Sequence, residues 1–178
     1  MNTTKRRLRV LVTAASGHGS TAEIARVIGH ALDNDHIAVD IVAPELVDSV
    51  DDYDAVVLGS AVYAGHWLAS ANDFAVRFRH PLAARCVWLF SSGPLGDSGR
   101  GHVQSTEQDP ADVVRIRRDL SVRGHRTFPG KLSPQTLSLM QRASVLVSHR
   151  PSGDFRDWDA ITEWAGSIAA DLADLAPR

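Results

Sequence analysis

Ser16, Gly17, His18, Gly19, Ser20 and Thr21 have the composition of an anion-binding turn. They follow an apolar run (Leu8, Val10, Leu11, Val12) and precede a helical stripe that begins at Ala22. A helix leaves the N–H groups of its first turn without intrahelical partners, and its dipole favours negative charge there. Gly17 and Gly19 let the backbone approach a ligand without a Cβ in the way. Ser16, Ser20 and Thr21 add hydroxyl donors. The loop holds no Lys or Arg, so a phosphate bound here is held by neutral donors rather than by a counter-charge.

Three readings of this loop compete. Gly17-His18-Gly19-Ser20-Thr21-Ala22 fits G-x-G-x-x-A, and Asp40 lies 23 residues after Gly17, where a dinucleotide's ribose would meet a carboxylate. The second is a terminal monophosphate site, as in a protein that binds flavin mononucleotide. The third is an ordinary strand-to-helix turn with a serine cap. The density of hydroxyls favours the monophosphate, because a terminal phosphate presents more oxygens than a bridging pyrophosphate.

Other chemistry is weakly represented. His18 and His66 flank glycine-rich loops as candidate proton donors, although exposed loop histidines are common. The serines lie in cradle-type loops without a nucleophile elbow, so no Ser-His-Asp triad is expected. The histidines are scattered, without an i, i+4 pair or cysteine partners, and no metal site is expected. The single Cys86 lies in an apolar run and reads as a buried, inert thiol.

The elements that must position these residues alternate. Ile24, Ile28 and Leu32 recur at helical spacing after the first loop. A second strand runs from Ile37 to Val42 and stops at Pro44. A third, apolar along its length, covers 54–60, and the loop 59–67 follows it. A helix is expected over 68–78, Pro81 breaks the chain, and a fourth strand runs from Cys86 to Ser91. A second polar loop then spans 91–98. This is an α/β doubly wound pattern. Right-handed crossovers bring the loops after strands one, three and four to one edge of the sheet, where ligands bind.

The chain has 178 residues, of which 44% are hydrophobic and 22% charged, with a formal net charge of −2. That length suits one domain spanning 1–178, and the charge argues against nucleic acid as a main partner. No run approaches a membrane span, so integral insertion is not expected. Lys5, Arg6 and Arg7 ahead of an apolar run imitate a secretory signal, but Arg9 interrupts it. The start reads instead as the first strand of a cytoplasmic protein.

Residues 99–131 change character, with seven Lys/Arg against four acids. Asp109 and Pro110 are expected to open a helix as cap and first residue, running to about Val122. A short fifth strand is expected at Arg126, Thr127 and Phe128, ended by Gly130. The basic face of 112–126 is a solvated helix surface or a docking face for an acidic partner or a membrane surface. At the C-terminus, Trp158, Ile161, Ala165, Ile168 and Leu172 mark a closing amphipathic helix, with Trp158 and Trp164 as core or rim residues.

Four stretches resemble the flavodoxin-like superfamily, and within it the flavodoxin-domain proteins related to bacterial menaquinone-dependent protoporphyrinogen oxidase. They are the run from Ala15 to Ala25, Gly59-Ser60-Ala61-Val62-Tyr63-Ala64-Gly65, the run from Trp88 to Gly96, and Gly153-Asp154-Phe155-Arg156-Asp157-Trp158-Asp159-Ala160-Ile161. The fourth looks like a helix-start signature of the subgroup. The resemblance implies a five-stranded parallel sheet in order 2-1-3-4-5 with helices on both faces, and FMN as cofactor. It places the terminal phosphate on Ser16, Gly17, His18, Gly19, Ser20 and Thr21. The flavin ring falls to Ala61, Val62, Tyr63, Ala64 and Gly65, with the chain continuing to Trp67, and to Ser92, Gly93, Pro94, Leu95, Gly96 and Asp97. Tyr63 or Trp67 would stack on the ring, and His18 or His66 would deliver a proton. The flavin carries the redox reaction itself, so little acid–base chemistry is asked of the protein.

The chain departs from the family pattern twice. Gly17 stands where many relatives carry Lys or another side chain, which implies a looser loop and weaker FMN binding. Residues 99–123 form a variable, insertion-like segment that does not match the oxidase's own insertion. The resemblance implies electron transfer or an FMN-dependent oxidoreductase, with a redox partner protein or a quinone as partner. The alternatives are an oxidase of the protoporphyrinogen type, and a binding module with a weakened flavin site whose working face is 99–131. A nicotinamide-dependent Rossmann enzyme ranks last. Peripheral membrane contact is an option for the basic segment, and that segment and the C-terminal helix each offer a surface for a homodimer.

Overall fold

In the computed structural model, residues 6–93, 109–132 and 153–175 are described. Five parallel strands form the sheet: β1 (Leu8–Ala15), β2 (Ile37–Ile41), β3 (Ala55–Tyr63), β5 (Cys86–Gly93) and β6 (Val122–Pro129). Their order is β2-β1-β3-β5-β6, the two-residue β4 (His66–Trp67) pairing back on β3. Counted over the parallel strands alone this is the expected 2-1-3-4-5 α/β arrangement, with its switch of direction between β1 and β3.

Strand alternation sorts the core into two layers. Val10, Val12, Ala55, Val57, Trp88 and Phe90 point to one face, where α1 (Ser20–Leu32) and α5 (Trp158–Leu175) bury Ile24, Ile28, Leu32, Ile161, Ile168 and Leu172. Leu11, Val56, Leu58, Val87 and Leu89 point to the other, covered by α2 (Ala69–Arg77), α3 (Arg79–Ala83) and α4 (Ala111–Asp119). Each fully buried Leu or Ile contributes roughly 1.5–3 kcal/mol, so these stripes decide where the helices dock. Phe90, Phe128 and Trp164 meet edge-on under α5, with centroids 5.6–6.3 Å apart. Trp164 is thus a core residue, while Trp158 lies at the rim, 38% exposed.

Several boundaries differ from the expectations. The stretch 59–63 is not a loop: β3 continues to Tyr63 and turns at Ala64-Gly65, whose φ angles of 48° and 80° make the tight hairpin turn into β4. Likewise β5 runs on to Gly93. Pro81 does not break the chain but lies inside α3, where its first-turn position leaves no ladder bond to lose. Pro110 precedes α4 rather than opening it, and Asp109 makes no capping bond. The helix α4 stops at Asp119, and β6 starts at Val122, four residues earlier than expected.

Candidate functional site

Three strand ends line up in adjacent register. Ala15 of β1 pairs with Ser60 of β3, and Ala61 of β3 with Ser92 of β5. The residues that follow each strand therefore share one edge of the sheet. Of the expected site residues, Ser16, Gly17, His18, Gly19, Ser20, Thr21, Ala61, Val62, Tyr63, Ala64, Gly65, Ser92 and Gly93 are at this edge; Pro94, Leu95, Gly96 and Asp97 lie outside the described residues.

The first loop has the donors of an anion cradle. Gly19 precedes α1 in the left-handed region (φ 86°) and makes no side-chain cap, leaving the amides of the first turn without a competing hydroxyl acceptor. The Ser16 Oγ is buried and has no hydrogen-bond partner among the described residues, and the same holds for Thr13 Oγ1 at the end of β1. A buried hydroxyl without a partner costs about 1–3 kcal/mol, and a phosphate oxygen is the kind of group that would satisfy Ser16. The Ser20 Oγ accepts the backbone N–H of Lys131 at 3.2 Å, which leaves its own proton free to donate.

Lys131 arrives there on β7 (Lys131–Leu132), which pairs antiparallel with β8 (Gly153–Asp154). Beyond β8, the Arg156 side chain is 4% exposed and forms ion pairs with Glu23 in the first turn of α1 and with Asp154. Its guanidinium lies 4.4 Å over the Trp158 ring. Arg156 holds the Asp154 carboxyl below the usual range. The Asp157 carboxylate accepts the Ala160 N–H and caps α5. The fourth motif thus starts the last helix and also ties it to α1, a role that sequence spacing could not reveal.

The hairpin β3–β4 forms the second wall. Ser60 Oγ accepts the Leu68 N–H at 2.9 Å and donates to the Ala61 carbonyl at 2.8 Å. Asp112 Oδ2 accepts the Trp67 N–H at 2.9 Å and lies 3.3 Å from His66 Nδ1. Trp67 is buried, its indole N–H donating to Ser91 Oγ at 2.9 Å, so it does not stand over a flavin ring. Tyr63 instead leans over the first loop: a Cβ added at Gly17 would lie 2.9 Å from its hydroxyl oxygen. Gly17 therefore does not leave slack in the loop, since Tyr63 fills the space. His18 and His66 are exposed, with His18 edge-on to Tyr63 at 6.3 Å.

A Ser-His-Asp chain is present after all. His125 Nε2 lies 2.9 Å from Ser91 Oγ, and its Nδ1 lies 2.9 Å from Asp109 Oδ1; Arg117 donates to Asp109 Oδ2 at 2.9 Å. The three side chains meet because β5 and β6 are adjacent and Ser91 and His125 both face α4. Ser91 is 0% exposed, however, and its Oγ already accepts from Trp67, so it is closed to any substrate. Burial pushes the His125 pKa below its ordinary 6.5, against the pull of Asp109.

The structure also places two further features of the sequence. Asp40 is engaged by Arg9 at 2.8 Å, whose hydrogen bond holds its carboxyl low, and is not a free ribose acceptor. On the face of 112–126, three exposed arginines make ion pairs, Arg115 with Asp112, Arg117 with Asp109 and Arg118 with Asp119, as on a solvated helix surface. Among the described residues no group of three or more His, Cys, Asp or Glu is placed to hold a metal ion, and no helix is long and apolar enough to cross a membrane.

Comparison with known proteins agrees with this geometry. The family described as flavodoxin domain matches residues 11–159. No curated protein matches the chain. Among solved structures, rubredoxin oxygen:oxidoreductase from Desulfovibrio gigas superposes with a TM-score of 0.66 at 15% identity, covering 98% of this chain but only 38% of that one. A flavodoxin from the domain Archaea gives 0.59 at 15% identity over 93% of this chain and 99% of its own. The flavodoxin of Streptococcus pneumoniae TIGR4 gives 0.58 at 17% identity over 94% and 98%. At these identities the likeness is one of fold. The family match indicates FMN as the cofactor, and the buried, unpartnered Ser16 hydroxyl within a loop of free amides fits its phosphate.

Proposed function

We propose, from the premise that this chain belongs to the flavodoxin domain family, that it binds FMN at the carboxyl edge of its sheet and transfers electrons between a reductant and a redox partner protein or quinone. The observation that carries this reading is the loop 16–21: a buried hydroxyl without a partner, two glycines and unengaged first-turn amides at one strand end. Ser16, Ser20, Thr21 and the amides of this loop would hold the phosphate. The hairpin carrying Ala61 to Gly65 and the end of β5 at Ser92 and Gly93 would flank the ring, with backbone groups directed to its polar edge. Bound FMN supplies the electron-carrying chemistry. The chain's own work is to hold the cofactor, keep water off one side of it, and leave an edge accessible to the partner.

A second, finer reading is an oxidase of the protoporphyrinogen type that passes electrons to menaquinone. What supports it is the resemblance of the Gly153 to Ile161 stretch to the oxidase subgroup. It remains secondary because a fold does not determine a substrate.

The deciding experiment is an absorbance spectrum of the purified protein before and after addition of FMN and dialysis. A retained oxidised-flavin spectrum, lost when Ser20 and Thr21 are both replaced by Glu, supports the reading. A protein that retains no FMN after saturation and dialysis refutes it. Turnover of protoporphyrinogen with a menaquinone analogue then separates the oxidase from an electron carrier.

A further inference from the structure

We propose that the hydroxyl of Tyr63 replaces the side chain missing at Gly17 and acts as a phosphate ligand, so that the site selects a flavin ending in a phosphate monoester over the same flavin without it. This deepens the FMN reading and rests on it.

The geometry places the polar end of Tyr63, not its ring face, over the loop. A Cβ built on Gly17 would lie 2.9 Å from Tyr63 Oη, 3.5 Å from Cζ and 3.6 Å from Cε2. The volume that a side chain at position 17 would occupy is therefore filled by a hydroxyl from a different strand. The placement follows from β3. Ala55 and Val57 face α1, and the two-residue period carries Tyr63 to that same face, beside the N-terminus of α1. There β3 ends, and the turn at Ala64-Gly65 pairs Tyr63 with His66. The His18 ring lies 6.3 Å away, at 78° to the Tyr63 plane. The atom of Tyr63 nearest the loop at Gly17 is thus the hydroxyl oxygen, not a ring carbon.

Chemistry favours a donor here. A phosphate monoester carries up to two negative charges on three terminal oxygens, and the loop offers it only neutral donors. Burial raises the Tyr63 pKa, so the phenol stays protonated and donates at neutral pH. A charge-assisted O–H···O bond is among the stronger hydrogen bonds, and its loss is expected to weaken binding about tenfold.

The test compares FMN with riboflavin, which has the same ring and ribityl chain without the phosphate, by quenching of flavin fluorescence. Tyr63→Phe should weaken FMN about tenfold and leave riboflavin within about twofold. In the double variant Gly17→Ser with Tyr63→Phe, a hydroxyl returns from the loop side into the space vacated by Oη, and FMN affinity should recover in part. Thermal midpoints of all variants, read on the cofactor-free protein, control for folding. Equal loss for both flavins assigns Tyr63 to the ring and overturns the proposal. So does no loss, or tighter FMN binding in Tyr63→Phe, which would make the phenol a plug rather than a ligand. Wild-type protein that binds neither flavin removes the FMN reading itself, an outcome distinct from failure of Tyr63 alone.

Discussion

The imidazole Nε2 of His125 lies 2.9 Å from Ser91 Oγ, deep between β5, β6 and α4. Because the Trp67 indole N–H donates to the same oxygen, the Ser91 proton is directed to His125, and the remaining His125 proton to Asp109. That fixes a neutral imidazole with its proton on Nδ1. The chain ends on Arg117, which holds the second oxygen of Asp109. On the other side, Asp112 holds the Trp67 backbone. Both carboxylates belong to the start of α4 or the residues just before it, so this region braces the hairpin that flanks the cofactor edge. The Ser-His-Asp geometry is thus a brace rather than a nucleophile.

Stability should fall in weak acid because of His125. Its folded-state pKa is depressed by burial, so between that value and 6.5 the unfolded chain binds more protons than the native one. Stability from the neutral imidazole is complete above about pH 6.5 and is lost as pH falls through the folded-state value. Asp109 and Arg117 are the charged groups facing the imidazole, with Ser91 and Trp67 completing its surroundings. Urea midpoints at pH 7.5 and 5.5 should differ more for the wild type than for His125→Gln. An equal pH response in both proteins would disconnect His125 from the effect.

Gly59 carries a packing constraint that a methyl group would violate. A Cβ there would lie 2.1 Å from Phe90 Cζ, on the neighbouring strand in direct register. Gly59→Ala should destabilise the protein by about 1–3 kcal/mol through overpacking. Adding Phe90→Leu should restore part of the loss, because the ring tip that collides is then absent. A chemical denaturation series of the two single variants and the double variant measures the coupling; simple additivity would refute it.

The parallel order, both helix layers and the shared edge of the strand ends were legible in the sequence, because each depends on local period and on small residues at strand ends. Ile24, Ile28 and Leu32 announce α1, and the apolar run of 54–60 announces a strand buried on both faces. What could not be read was set by pairing between distant strands. Gly59 to Tyr63 look like a loop by composition, yet β1 and β5 on either side draw most of that stretch into the sheet, and the β4 hairpin completes it. His125 and Ser91 are 34 residues apart and meet only because β5 and β6 are neighbours. The Arg156–Glu23 pair, 133 residues apart, belongs to the same class. Asp40 shows the converse: its spacing suits a ribose, the reading ranked last, and Arg9 on the adjacent strand engages it instead.

Arg156 should matter to both folding and affinity. Its side chain is almost fully buried, and Glu23 and Asp154 depend on it for charge balance. Arg156→Met keeps the apolar stem against Trp158 but removes the guanidinium. The loss of charged hydrogen bonds is expected to cost about 2 kcal/mol of stability. It also leaves Glu23 unneutralised in the first turn of the helix that receives the phosphate. FMN affinity should therefore fall, and Glu23→Gln in the same background should recover part of it. If the second substitution leaves the affinity of Arg156→Met unchanged, the charge argument is wrong and the role of Arg156 is confined to folding.

Ser16 offers the sharpest test of a site that is costly when empty. Its hydroxyl is buried without a partner among the described residues, as is that of Thr13. Removing an unsatisfied buried hydroxyl relieves a desolvation penalty, so Ser16→Ala should stabilise the cofactor-free protein by about 1 kcal/mol. The same substitution should weaken FMN binding about tenfold, because one phosphate donor is lost. Thr13→Val, which keeps the shape of the side chain, should give the stability gain without the loss of affinity, since Thr13 lies within β1 on the face opposite α1. Opposite signs for stability and affinity at Ser16, measured by denaturation of the cofactor-free protein and by FMN titration, mark a residue kept for its ligand rather than for the fold. A Ser16→Ala protein that is less stable and binds FMN normally would instead place that hydroxyl in the structural framework.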